Sequence, residues 1–209
     1  MAFGFETQGR WYAILPEIKD RRSIRSYQDK AVPKYMLEEI LHAGLLAPSS
    51  KNRQPWRFVV ATGPAKAEAL KAMERGLERE KENPLLPESA RYLGGAEHTL
   101  RIMKQAPVVI FIVNPIGISL HAALTPEERV YEICNAQSAG AAIENMTLAA
   151  AELGLGSLWI CNTYFAYREL CEWLGSGGEL LAAMAVGYAD EKPPARPRIS
   201  MEEAVEWRG

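Results

Sequence analysis

The sequence predicts one layered domain, a sheet of roughly four strands covered by five or six helices. Three observations carry this. Short apolar, β-branched runs alternate along the chain with longer segments of helical period. The composition, 48% hydrophobic and 24% charged, suits a packed core. The 209 residues fit a single domain. Alternation alone suggests a doubly wound parallel sheet. No GxGxxG or GxxxxGK[ST] follows any predicted strand, however, so the phosphate loops usual in such folds are missing.

The elements follow in order. An apolar run, Trp11 to Ile18, precedes a basic segment. Pro33 starts a helix to about Ala47, with Leu37, Ile40, Leu41, Gly44 and Leu45 at helical spacing and Pro48 as its stop. Trp56 to Thr62 reads as a strand closed by Gly63-Pro64, and a polar helix follows to about Lys81. Asn83 to Gly95, with two prolines and two glycines, reads as a mobile loop or lid. Pro107 to Val113 is the strongest strand, a continuous apolar run of the centrally buried kind. Glu127 to Leu153 is a long helix crowded with alanine and glycine, which lets another helix backbone approach closely; Gly154 caps it. A strand from Ser157 to Cys161, a helix from Phe165 to Leu174 and a last strand from Glu179 to Tyr188 complete the set. An extended, proline-rich tail ends the chain.

Composition excludes several functions. A net charge of -2 and a pI near 6.0 give no reason to expect a nucleic-acid partner. Cys134, Cys161 and Cys171 are too few and scattered for a disulfide framework, which favours a reducing, cytoplasmic compartment. His42, His98 and His121 lack metal-ligand spacing, so no metal site is expected. No signal peptide is evident, and no uncharged apolar stretch reaches the roughly 20 residues of a membrane helix.

Against that nearly neutral background, Arg21, Arg22, Ser23 and Arg25 place three guanidinium groups and a hydroxyl within five residues. Such a concentration of bidentate donors suits a small phosphate-like anion. About one helix later, Ala47-Pro48-Ser49-Ser50-Lys51-Asn52-Arg53-Gln54-Pro55-Trp56 forms a polar loop entering a strand, the kind of position where binding groups sit. The two segments, in this order and spacing, resemble the N-terminal signature of the nitroreductase-like FMN-dependent oxidoreductase family. Three later stretches extend the likeness. Gly140 to Leu155 looks like the family's central helix with its Asn-Met-x-Leu-Ala-Ala core. Gly156 to Asn162 is similar to the strand that ends against the flavin. Gly187 to Pro194, followed by Arg196 and Arg198, resembles the tail that returns to the phosphate.

The resemblance implies an α+β fold, a mixed sheet flanked by helices, with FMN at a homodimer interface. It implies one domain over 1–209, with 83–125 as a variable substrate-side segment and 189–209 as an extended tail. Hydride would pass from NADH or NADPH to a nitroaromatic, quinone, flavin or other electron-poor small molecule by a ping-pong route. Arg21, Arg22, Ser23 and Arg25 would hold the phosphate and ribityl end, joined by Arg196 and Arg198. Pro48, Ser49, Ser50 and Asn52 would approach the flavin from the other subunit. Ile160, Cys161 and Asn162 would lie beside the ring, Cys161-Asn162 departing from the glycine that family members often carry there. The chemistry would rest on the flavin, with no catalytic side chain. Other outcomes of the same resemblance are a flavin-consuming, dehalogenating or azoline-dehydrogenating relative, or a non-catalytic flavin-binding protein.

Overall fold

Four antiparallel strands make one sheet in the order β1-β2-β4-β3, with β1 at Arg57–Ala61, β2 at Val108–Asn114, β3 at Gly156–Ile160 and β4 at Glu179–Gly187. The computed structural model describes residues 15–175 and 177–209, so the start of the Trp11–Ile18 run lies outside the described residues. The parallel component of the expected mixed sheet is confined to one bridge, Ser23 to Ser157, along the β3 edge.

The antiparallel layout has a cause in the connections. Between β1 and β2 stand two helices, α3 (Gly63–Glu82) and α4 (Leu93–Gln105). One carries the chain away and the other brings it back, so β2 runs against β1. Between β2 and β3 stands the single long α5 (Pro126–Glu152), and these two strands, both antiparallel to β4, share a direction on either side of it. The expected loop at Asn83 to Gly95 is therefore corrected. It contains a 3-10 helix at Pro87–Tyr92, and its last residues already begin α4.

All seven residues of β2 are buried because both faces of the sheet are covered. Val109 and Phe111 point into a core built with α3, α4 and α6 (Tyr167–Leu174), around Met73, Met103 and Leu170. Val108, Ile110 and Ile112 point into a second core with α2 (Lys34–Leu45) and α5, around Ile40, Ile143 and Met146. The predicted helix at Phe165–Leu174 is in fact a 3-10 turn, Asn162–Ala166, leading into α6.

Helix ends follow ordinary capping chemistry. Thr125 and Glu128 form a reciprocal capping box at the start of α5. At its end Gly154 adopts φ +74°, and Leu155 N–H donates to Ala150 O at 2.8 Å. Close approach of α2 to α5 is permitted by Gly44 of α2, where a Cβ would lie 2.9 Å from the Met146 side chain, and Asn145 Nδ2 donates to Ala43 O at 3.1 Å.

Gly76 of α3 marks a tighter contact that the sequence reading did not single out. An added Cβ would lie 2.3 Å from Ala166 Cβ and 2.4 Å from its Cα. Gly76→Ala is expected to lower stability by about 3 kcal/mol, the upper end for overpacking, since backbone rather than a side-chain tip must move. Urea unfolding measures this, and a neutral or stabilising change would show that α3 yields without cost.

Candidate functional site

The two ends of the described chain meet through backbone hydrogen bonds. After α1 (Pro16–Asp20) the segment from Arg21 runs extended beside β3, where Ile24 N–H donates to Ser157 O at 2.9 Å. Gln28 N–H donates to Tyr188 O at 2.9 Å, and Asp190 N–H returns a bond to Ser26 O at 2.9 Å. The Glu191 carboxylate accepts from the amides of Arg25 and Ser26, which fixes the start of the tail. Tyr27 is buried beneath this junction and donates to Ile24 O at 3.0 Å. Burial, reinforced by the charge of Glu191, pushes its phenol far up, so it remains a donor throughout the working range.

This junction creates a cleft of about 260 Å³ whose charged wall is Lys19, Arg21, Arg22, Arg25, Arg196 and Arg198. Ser23 lines it too, and no acidic residue does. Arg22 donates through Nη1 to Lys19 O (2.9 Å) and Arg21 O (2.8 Å), and Arg25 through Nη1 to Ser23 O (3.0 Å). Arg198 donates through Nη1 to Arg196 O (3.2 Å). The guanidinium groups of Arg22, Arg25 and Arg198 are thus steadied by backbone carbonyls, and the hydrogen bonds among the described residues leave their Nε and Nη2 donors unengaged. Arg21 is the exception in kind. Its Nε is buried 3.3 Å from Glu144 Oε1, an ion pair without hydrogen-bond alignment.

Arg25 also lines a second cleft, of about 330 Å³. Its walls come from the end of β3 (Trp159, Ile160), from Cys161 and Asn162 beyond it, and from α4 (His98, Thr99). Burial pushes the Cys161 thiol up, a hydrogen bond with Trp159 offsetting this only in part, so the group stays protonated at neutral pH and is a poor nucleophile. Sequence reasoning missed Lys19, His98, Thr99 and Trp159. For the α4 pair a signal existed: Ala96, Thr99, Leu100 and Met103 recur at helical spacing, and all are buried.

Pro48, Ser49, Ser50 and Asn52 line neither cleft. They surround a 3-10 turn, Ser50–Asn52, packed on α5, with Ser50 N–H donating to Ser138 Oγ at 3.2 Å and Gln54 N–H to Ser49 Oγ at 3.0 Å. Arg53 lies 4.3 Å over the Tyr131 ring. Three non-glycine residues here have positive φ, Lys51 (53°), Asn52 (53°) and Gln54 (49°). Such strain persists only where surroundings enforce it, and it clusters at binding sites. Within one chain, then, the arginine segment, the tail and the β3 end come together, while the Pro48–Asn52 loop stands apart.

Among the described residues no group of three or more His, Cys, Asp and Glu is placed to hold a metal ion. No described helix is long and apolar enough to cross a membrane.

Comparison with known proteins matches the nitroreductase family model over residues 18–188. The chain belongs to the nitroreductase family. It is 30% identical to a nitrobenzene nitroreductase from Ectopseudomonas oleovorans, covering 91% of this chain and 93% of that protein. It is 31% identical to a putative NADH dehydrogenase/NAD(P)H nitroreductase from Methanothermobacter thermautotrophicus over 70% of this chain, and spans only 59% of that relative's length. Among solved structures, a putative nitroreductase from Desulfovibrio desulfuricans, crystallised with FMN, superposes with a TM-score of 0.66 at 27% identity, covering 92% of this chain and 95% of that one.

Proposed function

We propose that this chain is an FMN-dependent oxidoreductase that takes hydride from NADH or NADPH and passes it, by a ping-pong route, to an electron-poor small molecule such as a nitroaromatic, quinone or flavin. One observation carries the reading. A cleft walled by six cations and no acid, assembled from both ends of the chain, shares Arg25 with a second cleft against the end of β3. A phosphate at one end and a planar ring at the other is the ligand this pairing suits. The FMN named for the Desulfovibrio structure and the nitroreductase names of the relatives support it.

Here Arg21, Arg22, Ser23, Arg25, Arg196 and Arg198 hold the phosphate and ribityl chain, and Ile160, Cys161 and Asn162 border the ring. When bound, FMN supplies the hydride chemistry. The chain's own contribution is to orient that ring, to neutralise the phosphate and to keep water from one face. Pro48, Ser49, Ser50 and Asn52 serve the site of a second copy in a homodimer. The exposed Leu45 and Leu46 just before them, and Val130 and Ile133 on α5, give that copy an apolar surface to bury. With its three cysteines free of disulfides, the protein works in the cytoplasm.

The purified protein is expected to be a yellow dimer releasing FMN on acid treatment, and to oxidise NADH or NADPH only when an acceptor is present. FAD in the released fraction, or no flavin after reconstitution with FMN, would overturn the cofactor assignment. FMN without turnover on any acceptor would leave a flavin-binding protein that is not an enzyme.

A further inference from the structure

Asn162 opens the turn after β3 and lines the second cleft. Its orientation is fixed by a short relay. The Thr99 hydroxyl donates to Gly95 O at 2.9 Å, and a carbonyl oxygen can only accept. The hydroxyl proton is thereby committed, so Thr99 Oγ1 meets Asn162 at 2.8 Å as an acceptor, and the amide atom facing it is Nδ2. The other end of the amide, Oδ1, accepts from no donor among the described residues, on a residue that lines the cleft. Thr99 is itself buried, on a helix whose Leu100 and Met103 are locked in the core. The relay is a rigid mount, and what it presents is a bare acceptor.

Resting on the flavin reading of this cleft, we propose that Thr99 is a positioning residue that holds Asn162 Oδ1 as the hydrogen-bond acceptor for flavin N5–H, so that the pair favours reduced over oxidised FMN. Flavin N5 carries a hydrogen only in the reduced form. In the oxidised form N5 is an acceptor, and Oδ1 faces it lone pair to lone pair. An interaction made in one state and opposed in the other shifts the equilibrium between them. A backbone amide in the same place would do the reverse, because it donates to oxidised N5. The side chain at position 162 is therefore a means of setting the potential.

The test uses the FMN-loaded protein as wild type, Thr99→Val, Thr99→Ser and Asn162→Ala. Two quantities are read: the dissociation constant of oxidised FMN by titration of the apoprotein, and the two-electron midpoint potential by spectroelectrochemistry. Thr99→Val and Asn162→Ala are expected to bind oxidised FMN at least as tightly as wild type, but to lose about tenfold in preference for the reduced form, the worth of one hydrogen bond. For a two-electron couple that lowers the potential by about 30 mV. Thr99→Ser keeps the hydroxyl and is expected to keep the potential. Asn162 is only half-buried, so its alanine variant holds the test open if Thr99→Val folds poorly. Normal FMN binding with an unmoved potential in both Thr99→Val and Asn162→Ala overturns the proposal; this is the result if Oδ1 meets N3–H, a donor in both states. A Thr99→Ser loss equal to that of valine overturns it as well. A wild type that binds no FMN overturns the flavin reading and the proposal with it.

Discussion

Replacing Arg79 by methionine is expected to lower the free energy of unfolding by about 3–5 kcal/mol at neutral pH, because it strands buried carboxylates. Arg79 donates from Nε to Glu169 Oε1 at 2.8 Å and from Nη2 to Glu169 Oε2 at 3.2 Å, a two-pronged pair. Nη2 also reaches Phe165 O at 3.2 Å, and Nη1 engages Glu80. Both acids are buried, Glu80 at 4% and Glu169 at 8% exposure. Glu80 additionally accepts from the amides of Leu85 and Leu86 at 3.0 and 2.7 Å, so the network ties α3, α6 and the segment after α3 to one guanidinium.

The pH dependence separates this from a simple loss of packing. Burial works to raise the Glu169 carboxyl, but its hydrogen bonds and the charge of Arg79 outweigh that and hold it below its ordinary value of 4.5. Glu80 is held low in the same direction, burial being outweighed by the Leu85 and Leu86 amides and then Arg79. A carboxyl depressed in the folded state gives stability that is present above pH 4.5 and lost as pH falls through its folded value. In Arg79→Met, Glu80 keeps its two amides, while Glu169 keeps only its own backbone amide and the charge of Arg168 against burial, so its folded value rises relative to wild type. Its penalty then fades on acidification. The wild-type and variant curves from urea unfolding are therefore expected to converge as the pH falls from neutral to about 4. Parallel curves would mean that the aliphatic stem of Arg79, not its charge, is what the fold needs.

The strands were legible because burial on both faces writes itself as an unbroken apolar run, as in Val108–Asn114. Their direction was not. It depends on whether one helix or two lies between neighbours, and the second, α4, begins with Leu93-Gly94-Gly95, directly after a stretch rich in proline. The glycines there signal a loop, while the helix is held by Ala96, Leu100 and Met103 packing on the sheet, which local propensity does not report. The cleft shows the same division. Arg21–Arg25 and Arg196–Arg198 stand out as charge clusters, but what joins them is main-chain pairing of Gln28 with Tyr188 and of Asp190 with Ser26, which leaves no mark on side-chain identity. Thr99 shows in the sequence only as one position on a helical face, because its bond to Asn162 joins residues 63 positions apart.

That junction sets up the other large effect expected, on FMN affinity. Arg25 and Arg198 line one cleft from opposite ends of the chain, so if both bind the FMN phosphate their removal must act on the same group. A hydrogen bond to a charged partner is worth about 1.5–3 kcal/mol, so each Arg→Ala change is expected to weaken FMN binding by about tenfold or somewhat more. Groups sharing a phosphate form one network, and the double variant is expected to lose less than the product of the single effects. Riboflavin lacks the phosphate and supplies the control. Of the two clefts Arg198 lines the first alone, and Arg198→Ala should leave riboflavin affinity unchanged; Arg25 also borders the second, so Arg25→Ala is expected to cost riboflavin a little, though far less than it costs FMN. Arg198→Lys keeps the charge but not the planar fork, and an intermediate affinity would assign part of the effect to geometry. The measurement is flavin titration of the apoprotein at low and high salt, since screening of an exposed pair should shrink the Arg198 effect. Equal loss of FMN and riboflavin in both single variants would mean that the arginines hold the junction of the two chain ends rather than the phosphate, and the ligand would then have to be sought in the cleft bordered by β3 and α4 alone.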